Sequence, residues 1–380
     1  MTRKAASSLG MIMALLAAFA TSNPRPALAD AAPPLTPPGS SIDPGSTTPV
    51  QMWSERVVLD ATGLLEEEGQ VHVVATFRMR NTASSQQTMR ARFPLEHPEG
   101  IGDGYGAFPV VENLTVQVDS IWASTLEVRE PSYWADGDQS IRWAAFDVAF
   151  PVAEDVVITA EYDIRPIRDY YAVRLDYILE TGAGWFGSIA LAEIVLYLPY
   201  PANTDNYIWQ TASWPSPVLA GNSIAWRRWN LNPSREDNFY VLLVEPSTWE
   251  RTLQLETLAA NGFADPGDFL ELSELYWRVA TDEHEMSLRP PLADAAERAA
   301  RRGLAIEPRS SGLLTQLAYI QWVRIAQRLT YSGRGSTSAE QAEIDRIRGI
   351  FLRAFELDPT NRRAQEMARL LENWSWVLPD

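Results

Sequence analysis

The chain has no cysteine and a single lysine, Lys4, in 380 residues. The first absence removes thiol nucleophiles, disulfides and cysteine-zinc sites, and the second removes lysine Schiff-base chemistry and a P-loop lysine. Lack of cysteine assigns no redox compartment, because a domain that buries a sizeable core needs no disulfide staple. Histidine is scarce too: His72, His97 and His284 are the whole set. His284-Glu285 opens an H-E-x-x-H zinc motif, but Leu288 stands where the second imidazole belongs, so no metal is expected there. Positive charge is outnumbered, 32 Lys plus Arg against 49 Asp plus Glu, for a net charge of -17. That sign repels a phosphate backbone, so nucleic acid is not an expected partner.

Other signatures of chemistry are missing. There is no G-x-S-x-G nucleophile elbow. The glycine-rich stretch Gly100 to Gly106 lacks both the G-x-G-x-x-G spacing and a following helix, so no nucleotide cofactor is implied. Asp136-Gly137-Asp138 reads as a turn between strands and not as a calcium loop. A secreted hydrolase working through paired carboxylates stays open as an alternative, but with 49 acids the sequence selects no pair. The leading expectation is a protein that is not an enzyme, with no catalytic residue, cofactor or metal.

What is present begins with an address. Arg3 and Lys4 precede an apolar run from Leu9 to Ala20, and Ala27-Leu28-Ala29 forms an A-x-A cleavage site, which together read as a signal peptide over 1–29. Cleavage would leave a chain of net charge -20, because Arg3, Lys4 and Arg25 go with the signal. Retention of the signal as an anchor is the alternative. The run falls short of the roughly 20 apolar residues that span a bilayer, and no later segment reaches that length, so no membrane span is expected after cleavage. The expected location is periplasmic, cell-surface or extracellular.

Residues 30–50 are rich in proline and small polar residues and read as a linker. From 51 to 250 apolar residues alternate, as in Val71, Val73, Ala75, Phe77 and Met79 against His72, Thr76, Arg78 and Arg80. Val156, Ile158, Ala160, Tyr162 and Ile164 repeat the pattern. About twelve strands follow, with no crossover helices, which favours antiparallel sheets packed as one or two β-sandwiches. From 251 to 380 the period becomes helical. Asp265-Pro266 starts the first expected helix, and further helices are expected over 291–306, 310–330, 338–357 and 361–373. The fold class is therefore a mainly β region followed by an all-α hairpin region.

Leu304-Ala305-Ile306-Glu307-Pro308 and Phe355-Glu356-Leu357-Asp358-Pro359 form an internal repeat, each ending one helix with the proline that opens the next. Phe351, Ala354 and Pro359, with Ala296, Ala300 and Pro308 before them and Leu314, Leu317 and Ala318 between, resemble the tetratricopeptide-repeat family. The prolines lie 51 residues apart where that family repeats every 34, so the resemblance is to a divergent form. It implies a protein-binding groove over roughly 290–373; a small helical bundle is the alternative. Met52-Trp53-Ser54-Glu55, Met79-Arg80-Asn81-Thr82, Phe93-Pro94-Leu95 and Thr181-Gly182-Ala183-Gly184-Trp185 look like exported bacterial β-sandwich domains of unassigned function, which implies fold and compartment only.

Fourteen tryptophans exceed what core packing usually takes, and Tyr207, Trp209, Trp214, Trp226 and Trp229 crowd into the last strands. They are the candidate ligand-binding residues, as rings that stack on sugars or anchor a protein; burial in the core is the alternative. Trp226 and Trp229 are three apart, which places them on opposite faces of a regular strand, with Arg227 and Arg228 between them to stack on or cap the rings. Asn113-Leu114-Thr115 and Asn373-Trp374-Ser375 fit glycosylation sequons. The leading functional expectation is a binding or scaffold protein that engages an envelope or extracellular protein through the helical region. Carbohydrate or cell-wall binding through the aromatic cluster is the alternative.

Overall fold

The computed structural model describes residues 48–66, 69–95, 111–131, 140–168, 171–177, 179, 184–209, 214–234, 237, 239–281, 289–332 and 336–372. The signal, most of the linker, His97, His284, Gly100 to Gly106, Asp136 to Asp138 and Asn373 lie outside the described residues. Cα packing separates two units, 1–246 and 247–380.

The first unit is built from β1 (Val50–Asp60), β2 (Val71–Asn81), β3 (Gln87–Pro94), β4 (Val111–Val118), β5 (Ile121–Trp122), β6 (Leu126–Pro131), β7 (Ser140–Phe150) and β8 (Asp155–Ile164), then β9 (Ile167–Arg168), β10 (Ala172–Tyr177), β11 (Ile189–Tyr197), β12 (Tyr207–Trp209), β13 (Val218–Ala220), β14 (Ser223–Leu231) and β15 (Phe239–Val244). An eight-stranded sheet runs β13-β14-β11-β1-β2-β8-β4-β5; β12-β15-β10-β9 and β3-β7-β6 are smaller sheets. The large sheet is mixed, not purely antiparallel as expected from the missing crossover helices, because β1 and β11 pair in parallel from Ser54↔Leu191 to Asp60↔Tyr197. Between those two strands the chain builds β3, β6 and β7 and part of the four-stranded sheet, so strands do the work of a crossover helix.

Period-two alternation sets the inner face of the large sheet. Val71, Val73, Ala75, Phe77 and Met79 of β2 pair with Ile164, Tyr162, Ala160, Ile158 and Val156 of β8, and all ten are buried. Both small sheets send rings to this face. Phe93 of β3 meets Tyr162 at 5.1 Å, and Phe239 of β15 meets Trp226 of β14 at 4.8 Å. The sheet ends in strands of two and three residues, β5 and β13. β4 and β5 form a hairpin: Asp119 (φ 49°) and Ser120 (φ 66°) adopt left-handed backbone and turn β4 back into β5.

The second unit is a series of helices, α1 (Pro246–Ala260), α2 (Pro266–Ala280), α3 (Pro290–Ile306), α4 (Ser311–Ser332), α5 (Ser338–Leu357) and α6 (Arg362–Glu372). Five were expected; α1 is the sixth. Its threonines obscure it, since β-branched residues favour strands and read against a helix. In place the hydroxyls of Thr252 and Thr257 donate to the carbonyls of Thr248 and Leu253, each four residues back, at 2.8 Å. Reciprocal capping boxes start α2 (Asp265 with Asp268) and α5 (Thr337 with Glu340). The turns holding Pro308 and Pro359 are alike in hydrogen bonding: the Glu307 and Asp358 amides donate to Gly303 and Ala354, and the Ser310 and Asn361 amides donate to Glu307 and Asp358.

Gly303 lets the chain around the first of these turns pack closely. A Cβ there would lie 2.7 Å from Leu313 Cδ1 and 2.9 Å from Phe269 Cβ. Gly303→Ala is expected to destabilise the helical unit by about 1–3 kcal/mol of overpacking, outweighing about 1 kcal/mol of helix propensity. Chemical denaturation followed by circular dichroism checks this; an unchanged or raised midpoint refutes it.

Candidate functional site

The five aromatic residues singled out by density do not share one surface. Trp226 is fully buried and Trp214 nearly so; both pack edge-on against Phe239, at 4.8 and 5.9 Å. Tyr207 is half-buried and meets Trp226 at 6.3 Å. Trp209 lies on β12 opposite Val241, and its side chain lies outside the described residues. Only Trp229 of the described rings is largely exposed, at 67 %. Trp226 and Trp229 do fall on opposite faces, as their spacing requires, and burial keeps Trp214 and Trp226 from any surface that Trp229 presents. A strand pattern shows which residues share a face and not which face is wet.

The arginines between the two rings also serve other partners. Arg227 Nε donates to Glu193 at 2.6 Å, and Arg228 donates to buried Asp237. Asp237 further accepts from the Ser234 amide at 2.9 Å and its hydroxyl at 2.8 Å, while its carbonyl takes the Trp214 indole N–H at 3.1 Å. Burial alone would raise the Asp237 carboxyl, but the Ser234 and Arg228 hydrogen bonds hold it below its ordinary value. This residue locks the aromatic core. Asp237→Ala is expected to cost about 3 kcal/mol by stranding Arg228 and the 234 turn; a thermal-unfolding midpoint within error of wild type refutes it.

His72 lies on the wet face of β2, with Nδ1 2.9 Å from Asp163 and Nε2 3.3 Å from Glu161. Asn113, on an exposed bulge of β4, gives its amide to the same Asp163 at 2.8 Å. Among the described residues no group of three or more His, Asp or Glu side chains is placed to hold a metal ion. No described helix is long and apolar enough to cross a membrane.

The helical unit brings together groups that no local motif announces. Leu270 of α2 lies against Gly312 of α4, and Trp277 of α2 meets Tyr319 of α4 edge-on at 5.9 Å. Both contacts pair residues 42 apart, so α2 and α4 run side by side in register, and Glu274 and Gln316 fall at the same height between them. The next helix of the layer is α6. Its cap, Asn361, accepts from the Ala364 amide at 3.0 Å and donates to Ser311 and Thr315 of α4 at 2.8 and 2.9 Å. One turn along, the Arg363 guanidinium stacks 4.0 Å over the Tyr319 ring. Among alternate helices α2 and α4 pack closely while α3 with α5 and α4 with α6 do not, so α6 joins the layer through the polar contacts of Asn361 and Arg363.

This face is polar inside. Gln316 is buried at 2 % exposure, and neither end of its amide has a partner. Glu274 is half-buried; burial pushes its carboxyl up, Glu271 adds to the rise, and Arg363 opposes it. A carboxyl raised in the folded state holds its proton more tightly there, so this group contributes a loss of stability as pH rises from its unfolded value near about 4.3. Glu274→Gln should therefore raise the unfolding midpoint relative to wild type more at pH 7 than at pH 4. Equal differences at the two pH values, measured by thermal melts, would refute the assignment.

No family model matches this chain, and no curated protein does. Among solved structures it is similar to a candidate nutrient binding protein from Legionella pneumophila, at TM-score 0.42 and 16 % identity over 67 % of this chain and 95 % of that one. It is also similar to an M1 zinc metallopeptidase from Deinococcus radiodurans, at TM-score 0.29 and 8 % identity over 87 % of this chain and 88 % of the other.

Proposed function

We propose that this chain is an exported, non-catalytic binding protein that holds an extended segment of an envelope or extracellular protein on the α2-α4-α6 face of its helical unit. Export rests on the signal pattern over 1–29. The binding reading rests on Glu274, Tyr319 and Arg363, one each from α2, α4 and α6, with the Arg363 guanidinium stacked on the Tyr319 ring and acting on the Glu274 carboxyl. The opposite charges of Glu274 and Arg363 would fix the direction of a bound segment. The first helices of successive hairpins lining one side is also what the tetratricopeptide resemblance implies for a ligand groove. In this reading the β unit is a pair of sandwiches sharing the large sheet.

Photocrosslinking in the producing cell, with the label at exposed position 278 on α2, one turn beyond Glu274, tests the proposal on the full chain. A discrete adduct is expected from wild type, and Tyr319→Ala or Arg363→Glu should abolish it while leaving the thermal midpoint of the β unit in place. The same adduct in both variants, or none in wild type, overturns the reading.

A further inference from the structure

The outer face of the eight-stranded sheet carries an arginine and tryptophan patch in a chain whose net charge is -17. Two carboxylates organise it. Asp155 of β8 accepts from the Nε of both Arg78 and Arg80 of β2, at 2.5 Å each. Glu193 of β11 accepts from the Nε of Arg227 of β14 at 2.6 Å and forms an ion pair with Arg56 of β1, whose Nε lies 2.8 Å away. Four cations against two anions leave a local excess of positive charge. The four arginine side chains are between 40 % and 64 % exposed. Each carboxylate holds two guanidinium groups by their inner edges and presents the outer forks to solvent.

Two tryptophans lie among these forks. The register of β1 against β2 shifts between Met52 and Ser54, and this bulge turns Trp53 outward, 42 % exposed, with the Arg80 guanidinium 5.3 Å over its ring. Trp229 is 67 % exposed and pairs with Leu191, which pairs with Ser54, so the two indoles sit two strands apart, about 10 Å at the usual strand spacing. Arg227 lies two residues from Trp229 on the same face of β14, and Arg78 pairs with Ser54 across β1 and β2. Flat rings thus alternate with planar cations along one row.

We infer that this face binds an acidic polysaccharide, with Trp53 and Trp229 stacking on sugar rings and Arg56, Arg78, Arg80 and Arg227 receiving uronate carboxylates. Charge selects an anion. The open sheet selects a hydrated one: a ligand that leaves the four guanidinium groups wet avoids the cost of desolvating them. A glycan leaves them wet while its apolar ring faces cover the indoles. Further along the same face Asp60, His72, Glu161 and Asp163 line up across β1, β2 and β8, so the anion is confined to the arginine end. Arginine in place of lysine fits, because its fork meets a carboxylate bidentately.

Affinity electrophoresis of the chain without its signal tests this, in gels containing polygalacturonate, a neutral glucan or poly-glutamate. Retardation is expected in polygalacturonate alone and should fade as salt rises. Trp229→Ala, at a solvent-exposed position, should weaken it by about tenfold with unchanged thermal unfolding, and Arg56→Gln with Arg227→Gln should weaken it at least as much. Absence of retardation in polygalacturonate overturns the inference. Equal retardation in poly-glutamate, indifferent to Trp229→Ala, overturns it in favour of an acidic protein surface. None of these variants touches the helical face, so the protein-binding proposal stands or falls separately.

Discussion

The parallel pairing of β1 with β11 is the joint on which the β unit depends. It fuses two strand groups, β2-β8-β4-β5 and β11-β14-β13, into one sheet broad enough to serve both small sheets from its inner side. The joint is polar at one point. Glu55 of β1 is buried at 1 % exposure and accepts the Tyr177 hydroxyl of β10 at 2.7 Å, which ties the four-stranded sheet to the central strand. A buried carboxylate held this way contributes less to net stability than to uniqueness of register, because a one-residue slip of β1 would turn Glu55 outward and Arg56 into the core.

What alternation encodes was legible. The inner and outer sets of β2 and β8 follow from the sequence, since a buried face leaves its imprint every second residue. The parallel pair was not, because strand partnership between residues 54 and 191 leaves no local trace and the absence of crossover helices argues the wrong way. The aromatic cluster shows the same limit: spacing separates Trp226 from Trp229 but does not say which is wet, and Trp53 owes its exposure to a bulge that sequence alone does not announce. Glu274, Gln316 and Arg363 come from three helices, and each alone is an unremarked polar residue on an amphipathic segment.

In the readings proposed above, the two units would divide the physics of binding between them. The helical layer would offer the opposite charges of Glu274 and Arg363 about the Tyr319 ring, a chemistry suited to a directed peptide. The sheet offers a broad wet plane whose cations are held in place by carboxylates but not consumed by them, so little side-chain entropy remains to be lost when a ligand arrives. An anion meeting Arg78 and Arg80 finds a fork already aimed by Asp155.

The brevity of β5 and β13 bears on how the chain avoids pairing with copies of itself. A long unpaired ladder on a wide hydrophobic-backed sheet is a template for strand addition. Here β5 pairs only with Gln117 and Val118 of β4, and β13 only with Ser223 to Ala225 of β14, so 111–116 and 226–231 border the large sheet among the described strands. Strand addition there is opposed by the left-handed backbone of Asn113 (φ 57°) and Asn230 (φ 53°), which interrupts each ladder, and by the charges of Glu112, Arg227 and Arg228 beside them.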